Sequence, residues 1–267
     1  MKQYISYFKL RFITNLQYRM DAIAGILTQI FFGLIFIMIY VSFYESGGDN
    51  IPLNLQETIN YIWLQQTFFA LIFPYTKDQE LTNIITNGNL AYELVRPQNF
   101  YLKWYIKMIS QKLVATLLRF IPVLIIAFVL PYPLKLTLPY SLTNFIIFII
   151  SLFLGLLLVT SLNLIVHILI MFTLDSTGLL TIYGVIAETF MGSIVPLPFL
   201  PIWMQKIANY LPFKYICDFP FRIYSNSITL SKGYKLLIGS FIWIIIINIL
   251  GYLVSKIALR KAVIQGG

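Results

Sequence analysis

The chain has 267 residues, of which 59% are hydrophobic and only 11% are charged, whereas an ordinary soluble domain has about 25% charged residues. This composition excludes a soluble globular protein. A mean hydropathy of +0.81 and 16% aromatic residues exclude a disordered or fibrous chain. At about 20 residues per span, the length allows six membrane helices and little else. We therefore expect an all-helical membrane protein with one transmembrane domain over residues 1–267.

The charge distribution points to membrane orientation. The net charge is +9, from 19 Lys and Arg against 10 Asp and Glu, and in a membrane protein such an excess reflects loop orientation rather than nucleic-acid binding. The single cysteine, Cys217, cannot form a disulfide within the chain. Bases precede the first apolar run without a small-residue cleavage site, so we expect a retained N-terminal segment and not a signal peptide.

Residues 1–19 have helical spacing. Ile5, Phe8, Phe12 and Leu16 lie three or four residues apart, and the bases fall elsewhere on the helical wheel. This pattern predicts a basic amphipathic helix in the membrane interface. The alternative is an ordinary positive flank of the first span. Both interpretations place the N-terminus in the cytoplasm.

Apolar segments predict six membrane spans. They cover residues 22–44, 58–75, 108–130, 142–172, 178–195 and 236–255. The acidic segment 45–57 is expected outside, and the basic segment 76–107 inside, so both termini are predicted to be cytoplasmic. The remaining long connection, 196–235, is external in this topology and is rich in proline and aromatic residues.

The sequence lacks the usual signatures of catalysis. There is no phosphate-binding G-x-x-x-x-G-K-[ST] loop and no G-x-S-x-G motif. With His167 as the only histidine and Cys217 as the only cysteine, a His/Cys metal cluster cannot be built. We expect no enzymatic activity and no metal site on this chain.

The segment after the second span predicts a short amphipathic helix. Residues 76–79 have the spacing of a capping box, Leu81, Ile84 and Ile85 form one apolar face, and Gly88 stands where a helix often ends. Such a helix either lies on lipid headgroups or inserts into a groove of a cytosolic partner. Its small size and low net charge favour the partner.

Two motifs are found next to this helix and in the external segment. The first is formed by Gly88, Leu90, Leu94, Arg96 and Pro97. The second is formed by Pro196, Phe199, Pro201, Trp203, Leu211, Pro212, Phe213, Phe219, Pro220 and Arg222. In both, the chain resembles the permease subunit of a bacterial ABC type-2 exporter-like transporter. Ala91 stands where that family has an acid, with Glu93 two positions later, and Ser225–Asn226 replaces a family glycine.

The resemblance implies three features of the fold: an interfacial N-terminal helix, a coupling helix between spans two and three, and short external re-entrant helices between spans five and six. The residues expected to couple to an ATPase are Leu81, Ile84, Ile85, Gly88, Glu93, Arg96 and Pro97. Those expected to shape the external helices are Pro196, Phe199, Pro201, Trp203, Pro212, Phe213, Pro220 and Arg222.

Polar residues inside the predicted spans are expensive and therefore candidates for function. Gln65 and Gln66 lie at mid-depth of span two, while Arg119, His167 and Glu188 lie in the inner halves of spans three, four and five. The last three could form one polar cluster. Alternatively, Arg119 reaches the headgroups and His167 is a packing residue, whereas Glu188 is too short to reach water and should pair or face a cavity.

The resemblance implies ATP-driven export, or flipping, of an amphipathic, lipid-like, drug or peptide substrate across a bacterial cytoplasmic membrane. ATP and Mg²⁺ would be bound by two copies of a cytosolic ATPase, and a second permease, identical or paralogous, would complete the complex. Two other classes stay open. One is a secondary transporter with Glu188 or His167 as proton carrier, and the other is a membrane anchor or assembly factor without transport.

Overall fold

The computed structural model describes residues 2–17, 19–47, 51–90, 93, 95, 97–173 and 175–261, and all regular structure in these ranges is helical. The helices are α1 (Lys2–Asn15), α2 (Arg19–Glu45), α3 (Leu55–Thr67), α4 (Phe69–Ile72), α5 (Gln79–Thr86), α6 (Phe100–Val129), α7 (Leu142–Thr173), α8 (Ser176–Met191), α9 (Ile202–Tyr210), α10 (Asp218–Tyr224) and α11 (Leu230–Lys261). Two 3-10 turns, Leu197–Phe199 and Phe213–Tyr215, precede and follow α9. The predicted all-helical class is confirmed.

In the part of the chain that the structure describes, four helices are long and apolar enough to cross a membrane. They are Met20–Glu45 within α2, Phe100–Val129 (α6), Leu142–Thr173 (α7) and Leu230–Lys261 (α11). The 32 residues of α7 extend over about 48 Å, which exceeds the roughly 30 Å of a bilayer core. These helices correspond to the first, third, fourth and sixth predicted spans.

The second and fifth predicted spans do not form long apolar helices. Phe68 separates α3 from α4, and irregular chain follows from residue 73 to 78. α8 has 16 residues, about 24 Å, and ends at Gly192. A straight span needs about 20 residues. All residues from Thr58 to Thr67 are buried within the protein, which explains why α3 is polar: its surroundings are other helices.

α7 is the central helix of the bundle. Of its most apolar stretch, 56% is buried, against 17 to 28% for the other three long helices. It packs against α5, α6, α8, α10 and α11. The outer helices α2 and α11 instead expose many large apolar side chains, as expected for surfaces in contact with lipid.

The segment between α8 and α11 is folded into one end of the bundle. Ile216, Phe219, Phe221 and Ile223 are at most 1% exposed and belong to the main apolar core. α7 approaches this segment closely at Gly155, because a Cβ atom there would lie 3.1 Å from the Ile216 carbonyl oxygen. By contrast α9 is largely exposed, including Trp203 at 62% and Tyr210 at 83%.

At the opposite end, α1 lies along α6 and has no buried residue. The predicted apolar face is correct only in part. Phe8, Phe12 and Leu16 are half-buried, but Ile5 is exposed. The half-buried side also carries Arg11, because α1 packs on a protein surface that contains an acidic partner.

Candidate functional site

A buried ion pair fixes the start of α5. Lys107 of α6 donates hydrogen bonds to both carboxylate oxygens of Asp78 at 2.7 Å, and the two side chains are only 3% and 2% exposed. Asp78 also accepts a hydrogen bond from the backbone N–H of Leu81 at 2.8 Å. It is therefore the N-cap of α5, and the capping box predicted from Thr76 is wrong. The same carboxylate therefore caps α5 and neutralises the charge of Lys107.

Glu80 extends the ion pair to α1. Its carboxylate oxygens lie 2.9 Å from Lys107 Nζ and 2.7 Å from Arg11 Nη2. Burial alone would raise the pKa of Glu80, but hydrogen bonds from Lys107 and Arg11 outweigh it and lower this pKa below its usual range. Glu80 is therefore ionised at neutral pH, and it links α1, α5 and α6.

His167 connects the same segment to α7. Its Nε2 accepts a hydrogen bond from the backbone N–H of Asp78 at 3.0 Å, so Nδ1 carries the proton and donates to the Asn163 carbonyl at 2.8 Å. The side-chain amide of Asn163 donates to the carbonyl of Thr76 at 3.0 Å. His167 is fully buried and acts here as a positioning residue, in agreement with its interpretation as a satisfied packing residue.

Lys112 anchors the chain that leads to α5. It is 3% exposed and donates to the Phe73 carbonyl and to Thr76 Oγ1. Neither Lys112 nor Lys107 is among the candidate residues predicted from the sequence, because the bases near residue 107 were interpreted as part of the internal segment 76–107. α6 begins at Phe100, so Lys107 and Lys112 both lie within its first four turns. Lys103 and Lys107, four residues apart just before an apolar run, were the available signal.

The apolar face predicted to contact an ATPase is covered by the chain itself. Leu81 is 0% and Ile85 7% exposed, and both lie in a core cluster formed with α6, α7 and α11; Ile84 packs against it. Leu81 and Ile85 are thus buried within the chain and Ile84 is half-buried, and the contact of these three side chains with an ATPase stays a prediction. The exposed residues of α5 and its C-cap are Gln79, Glu80, Asn83, Thr86 and Asn87.

The other predicted coupling residues are placed as follows. Gly88 has a φ of +71°, a left-handed conformation that glycine adopts at low cost just after a helix. Glu93 forms a buried ion pair with Lys103, and Pro97 is exposed. Arg96 lies outside the described residues, as do Ala91 and Leu94 of the same motif.

A cavity of about 270 Å³ with mostly apolar walls and a few polar groups lies between α2, α3 and α8. Its lining residues are Thr28, Gln29, Phe32, Phe36, Gln65, Gln66, Phe69, Glu188, Ser193 and Ile194. Gln65 donates to the Ser193 carbonyl. Gln29 is 4% exposed, and neither polar atom of its amide has a hydrogen-bond partner among the described residues. The cavity thus places two predicted intramembrane glutamines beside Glu188 and adds Gln29, which the sequence interpretation missed.

The predicted cluster of Arg119, His167 and Glu188 does not form. Arg119 donates to the Asp21 carbonyl of α2 at 3.2 Å, His167 is bound at α5, and Glu188 lines the cavity. The physical reason is the packing of the helices. α6 lies against α2 and α7, whereas α8 packs on α7 and on the turn at Phe213–Tyr215.

The external motif divides into exposed and buried parts. Pro201 and Pro212 directly precede α9 and the second 3-10 turn, where a residue without a donor N–H is tolerated. Of the predicted residues, two are exposed, Pro201 and Trp203, and four are buried, Pro196, Pro212, Phe213 and Pro220. Pro196 and Pro212 are the N-caps of the two 3-10 turns. Phe199 and Arg222 are half-buried: Phe199 packs against Tyr40 and Phe43, and Arg222 donates to Asp218 at 3.1 Å.

Asn226 lies directly after this motif, where the resemblance predicts a glycine. Its φ of +62° lies in the left-handed region, which asparagine enters more readily than other residues with a side chain. The backbone at this position is therefore one that glycine would also adopt at low cost.

Within the described residues, no group of three His, Cys, Asp or Glu side chains could hold a metal ion.

Comparison with known proteins identifies the family. A search of curated proteins gives no match to the chain. The family model for "ABC-2 family transporter protein" matches residues 26–266, which leaves only α1 and the start of α2 outside. The chain therefore belongs to the ABC-2 transporter family and is a membrane component.

Proposed function

We propose that the chain is one of two membrane halves of an ATP-driven exporter in a bacterial cytoplasmic membrane. ATP and Mg²⁺ are bound by two cytosolic ATPase subunits, and a second permease, identical or paralogous, faces this one. In this arrangement α3 with α4 and α8 serve as the second and fifth spans, both termini are cytoplasmic, and α9 and α10 are external. Membership of the ABC-2 family supports the association with ABC ATPases.

The attachment of α5 to three other helices carries the proposal. Asp78 and Glu80 join α5 to α6 and α1, and His167 joins it to α7. Removing one partner of a buried ion pair costs about 3–5 kcal/mol. A force applied to α5 therefore displaces α6 and α7 with it before the links break. This is the property required of a helix that transmits ATPase closure to membrane spans.

The surface of α5 offered to the ATPase is polar. Gln79, Asn83, Thr86 and Asn87 are exposed and carry amide and hydroxyl groups without net charge. We expect them to form hydrogen bonds with a groove of the ATPase, while Leu81 and Ile85 hold the helix to its own bundle. We therefore keep α5 as the coupling helix and assign the ATPase contact to its exposed polar face rather than to its apolar face.

The substrate pathway runs along α2, α3 and α8. Their cavity combines the rings of Phe32, Phe36 and Phe69 with amides and the Glu188 carboxylate. Aromatic walls with a few polar groups suit an amphipathic molecule, which is lipid-like, a drug or a peptide. Facing a second permease, this surface would alternate between inward and outward access as the ATPases open and close.

The test is reconstitution of the permease with candidate ABC ATPases from the same source genome. We expect the two to co-purify and transport to require ATP hydrolysis. Asn83→Trp, which adds bulk to the exposed side of α5, should weaken ATPase binding and uncouple hydrolysis from transport. Lys232→Trp, at an exposed position of α11, is the matched control and should behave as the wild type.

Three results would contradict the proposal. Failure of any ATPase to bind the wild-type chain contradicts the complex. Transport that needs no ATP and stops when the proton gradient collapses favours the secondary transporter. An Asn83→Trp variant with normal coupling shows that α5 does not use its exposed side.

A further inference from the structure

A second cavity, of about 450 Å³, lies between α1, the start of α2, residues 70–80 and α6. Part of its wall is apolar and is formed by Ala22, Ala70, Val114, Ala115 and Leu118. The rest of the wall is charged, with five bases and three acids. The cavity is thus amphipathic, and no ligand has been assigned to it above.

The acids do not neutralise all of the bases. Asp78 and Glu80 are paired with Lys107 and Arg11. The other three bases, Lys77, Lys112 and Arg119, form no ion pair among the described residues. Arg119 interacts electrostatically with Asp21, which is the third acid. This part of the wall therefore carries a net positive charge.

The wall also has hydrogen-bond donors without acceptors. Two buried groups that line the cavity have no hydrogen-bond partner, Arg119 Nε and Asn15 Nδ2. Both are N–H donors, and the described lining contains no buried acceptor in the same state. A molecule that satisfies this wall must accept hydrogen bonds and carry negative charge.

The cationic groups are held in place before any ligand binds. Lys112 and Arg119 are seven residues apart on α6, so they lie on one face about 10.5 Å apart along the axis. The Arg119 guanidinium lies against Gly25 of α2, where a Cβ atom would be 2.7 Å from Cζ. Glycine at this position allows the close approach, and the guanidinium is also fixed by its hydrogen bond to the Asp21 carbonyl at 3.2 Å.

We propose that this cavity binds the phosphate group of an anionic phospholipid. Arg119, Lys112 and Asn15 are the donors to the phosphate, and the apolar wall contacts the glycerol and the first carbons of an acyl chain. A free phosphate ion has the same charge chemistry, but it would leave the apolar wall empty. The bound lipid would hold α1 against α6 beside the link between Arg11 and Glu80.

The experiment measures the thermal unfolding midpoint of the purified chain in a neutral detergent. It is titrated separately with phosphatidylglycerol, phosphatidylcholine and inorganic phosphate. Phosphatidylglycerol should raise the midpoint of the wild type most, because the choline group of phosphatidylcholine is repelled by the positive wall. Arg119→Gln should weaken the apparent affinity for phosphatidylglycerol about tenfold, as expected from the loss of one charge-assisted hydrogen bond.

Two further variants make the test specific. Lys232→Gln removes the same charge at an exposed position on α11, and its response should equal that of the wild type. Asn15→Leu should also weaken lipid binding. Because Asn15 lies on a helix without buried residues, this variant is expected to fold, and it replaces Arg119→Gln if that variant does not fold. Equal stabilisation by the two lipids, or an unchanged response of both cavity variants, would overturn the proposal. An equal response to inorganic phosphate would establish a free anion as the ligand and overturn the lipid assignment.

Discussion

The buried pair between Asp78 and Lys107 gives the sharpest test of how α5 is held. Asp78→Asn removes the negative charge but keeps a side chain that caps helices as well as aspartate does. The hydrogen bond to the Leu81 N–H can therefore persist. What is lost is the neutralisation of Lys107, which remains buried at 3% exposure.

The expected loss of stability follows from these contacts. Leaving one charge of a buried pair without its partner costs about 3–5 kcal/mol. Lys107 keeps Glu80 at 2.9 Å, and Glu80 is 43% exposed, so this remaining partner is only partly effective. We expect Asp78→Asn to lower the free energy of unfolding by about 3 kcal/mol, the lower end of that range.

The assay is unfolding in mixed micelles for Asp78→Asn, Lys107→Met and the double variant. If the two groups act as a pair, the double variant should be more stable than the sum of the single losses predicts, by about 0.5–3 kcal/mol. Lys232→Met is the control, because it removes a lysine from an exposed position. Additive losses, or a loss below about 1 kcal/mol for Asp78→Asn, would refute the description of this pair as a structural clamp.

Three further predictions concern other contacts. Because the pKa of Glu80 is lowered from its usual 4.5, its hold on Arg11 is complete above that pH and is lost as the pH falls below it. The difference in unfolding midpoint between wild type and Glu80→Gln should therefore be present at pH 7 and shrink below pH 4.5; a constant difference would contradict this link. His167→Phe removes the acceptor for the backbone N–H at the N-cap of α5 and should cost about 1–3 kcal/mol in unfolding free energy, whereas His167→Gln should recover part of it. Gly155→Leu should displace the backbone packed on α7 and make Cys217, which is 0% exposed, reactive to a maleimide in the folded protein; unchanged protection would show that the segment can yield without opening.

The apolar helices were predictable from the sequence because their signal is local. Long runs of Ile, Leu and Phe have few alternatives to a membrane helix, and four of the six predicted spans have that form. The other two predicted spans do not form long apolar helices, because burial inside a protein and burial in lipid favour different residues. α3 is surrounded by α2, α6 and α10, so it contains Asn60, Gln65 and Gln66 and does not resemble a lipid-facing helix.

What the apolar face of α5 packs against was harder to predict than the presence of the helix. The pattern at Leu81, Ile84 and Ile85 indicated an apolar side of α5, but periodicity cannot tell whether that side meets its own bundle or a partner. The partners of Asp78 and Glu80 lie 29 and 69 residues away along the chain. Such pairs depend on how helices pack, and spacing within one segment carries no information about them.

Satisfied and unsatisfied polar groups divide this protein into two kinds of site. Around α5 the buried charges of Asp78 and Lys107 and the exposed charge of Glu80 all have partners within the chain. Such a network resists displacement because breaking the pair between Asp78 and Lys107 leaves a buried charge alone. In the cavity between α2, α3 and α8, both polar atoms of the Gln29 amide lack a partner, and no ion pair involves Glu188 among the described residues. Leaving such groups without partners costs free energy, which a molecule that supplies the missing bonds would recover. Under the proposed function, the paired network is suited to transmit movement, and the cavity is where a transported molecule or a facing permease would exchange contacts as that movement proceeds.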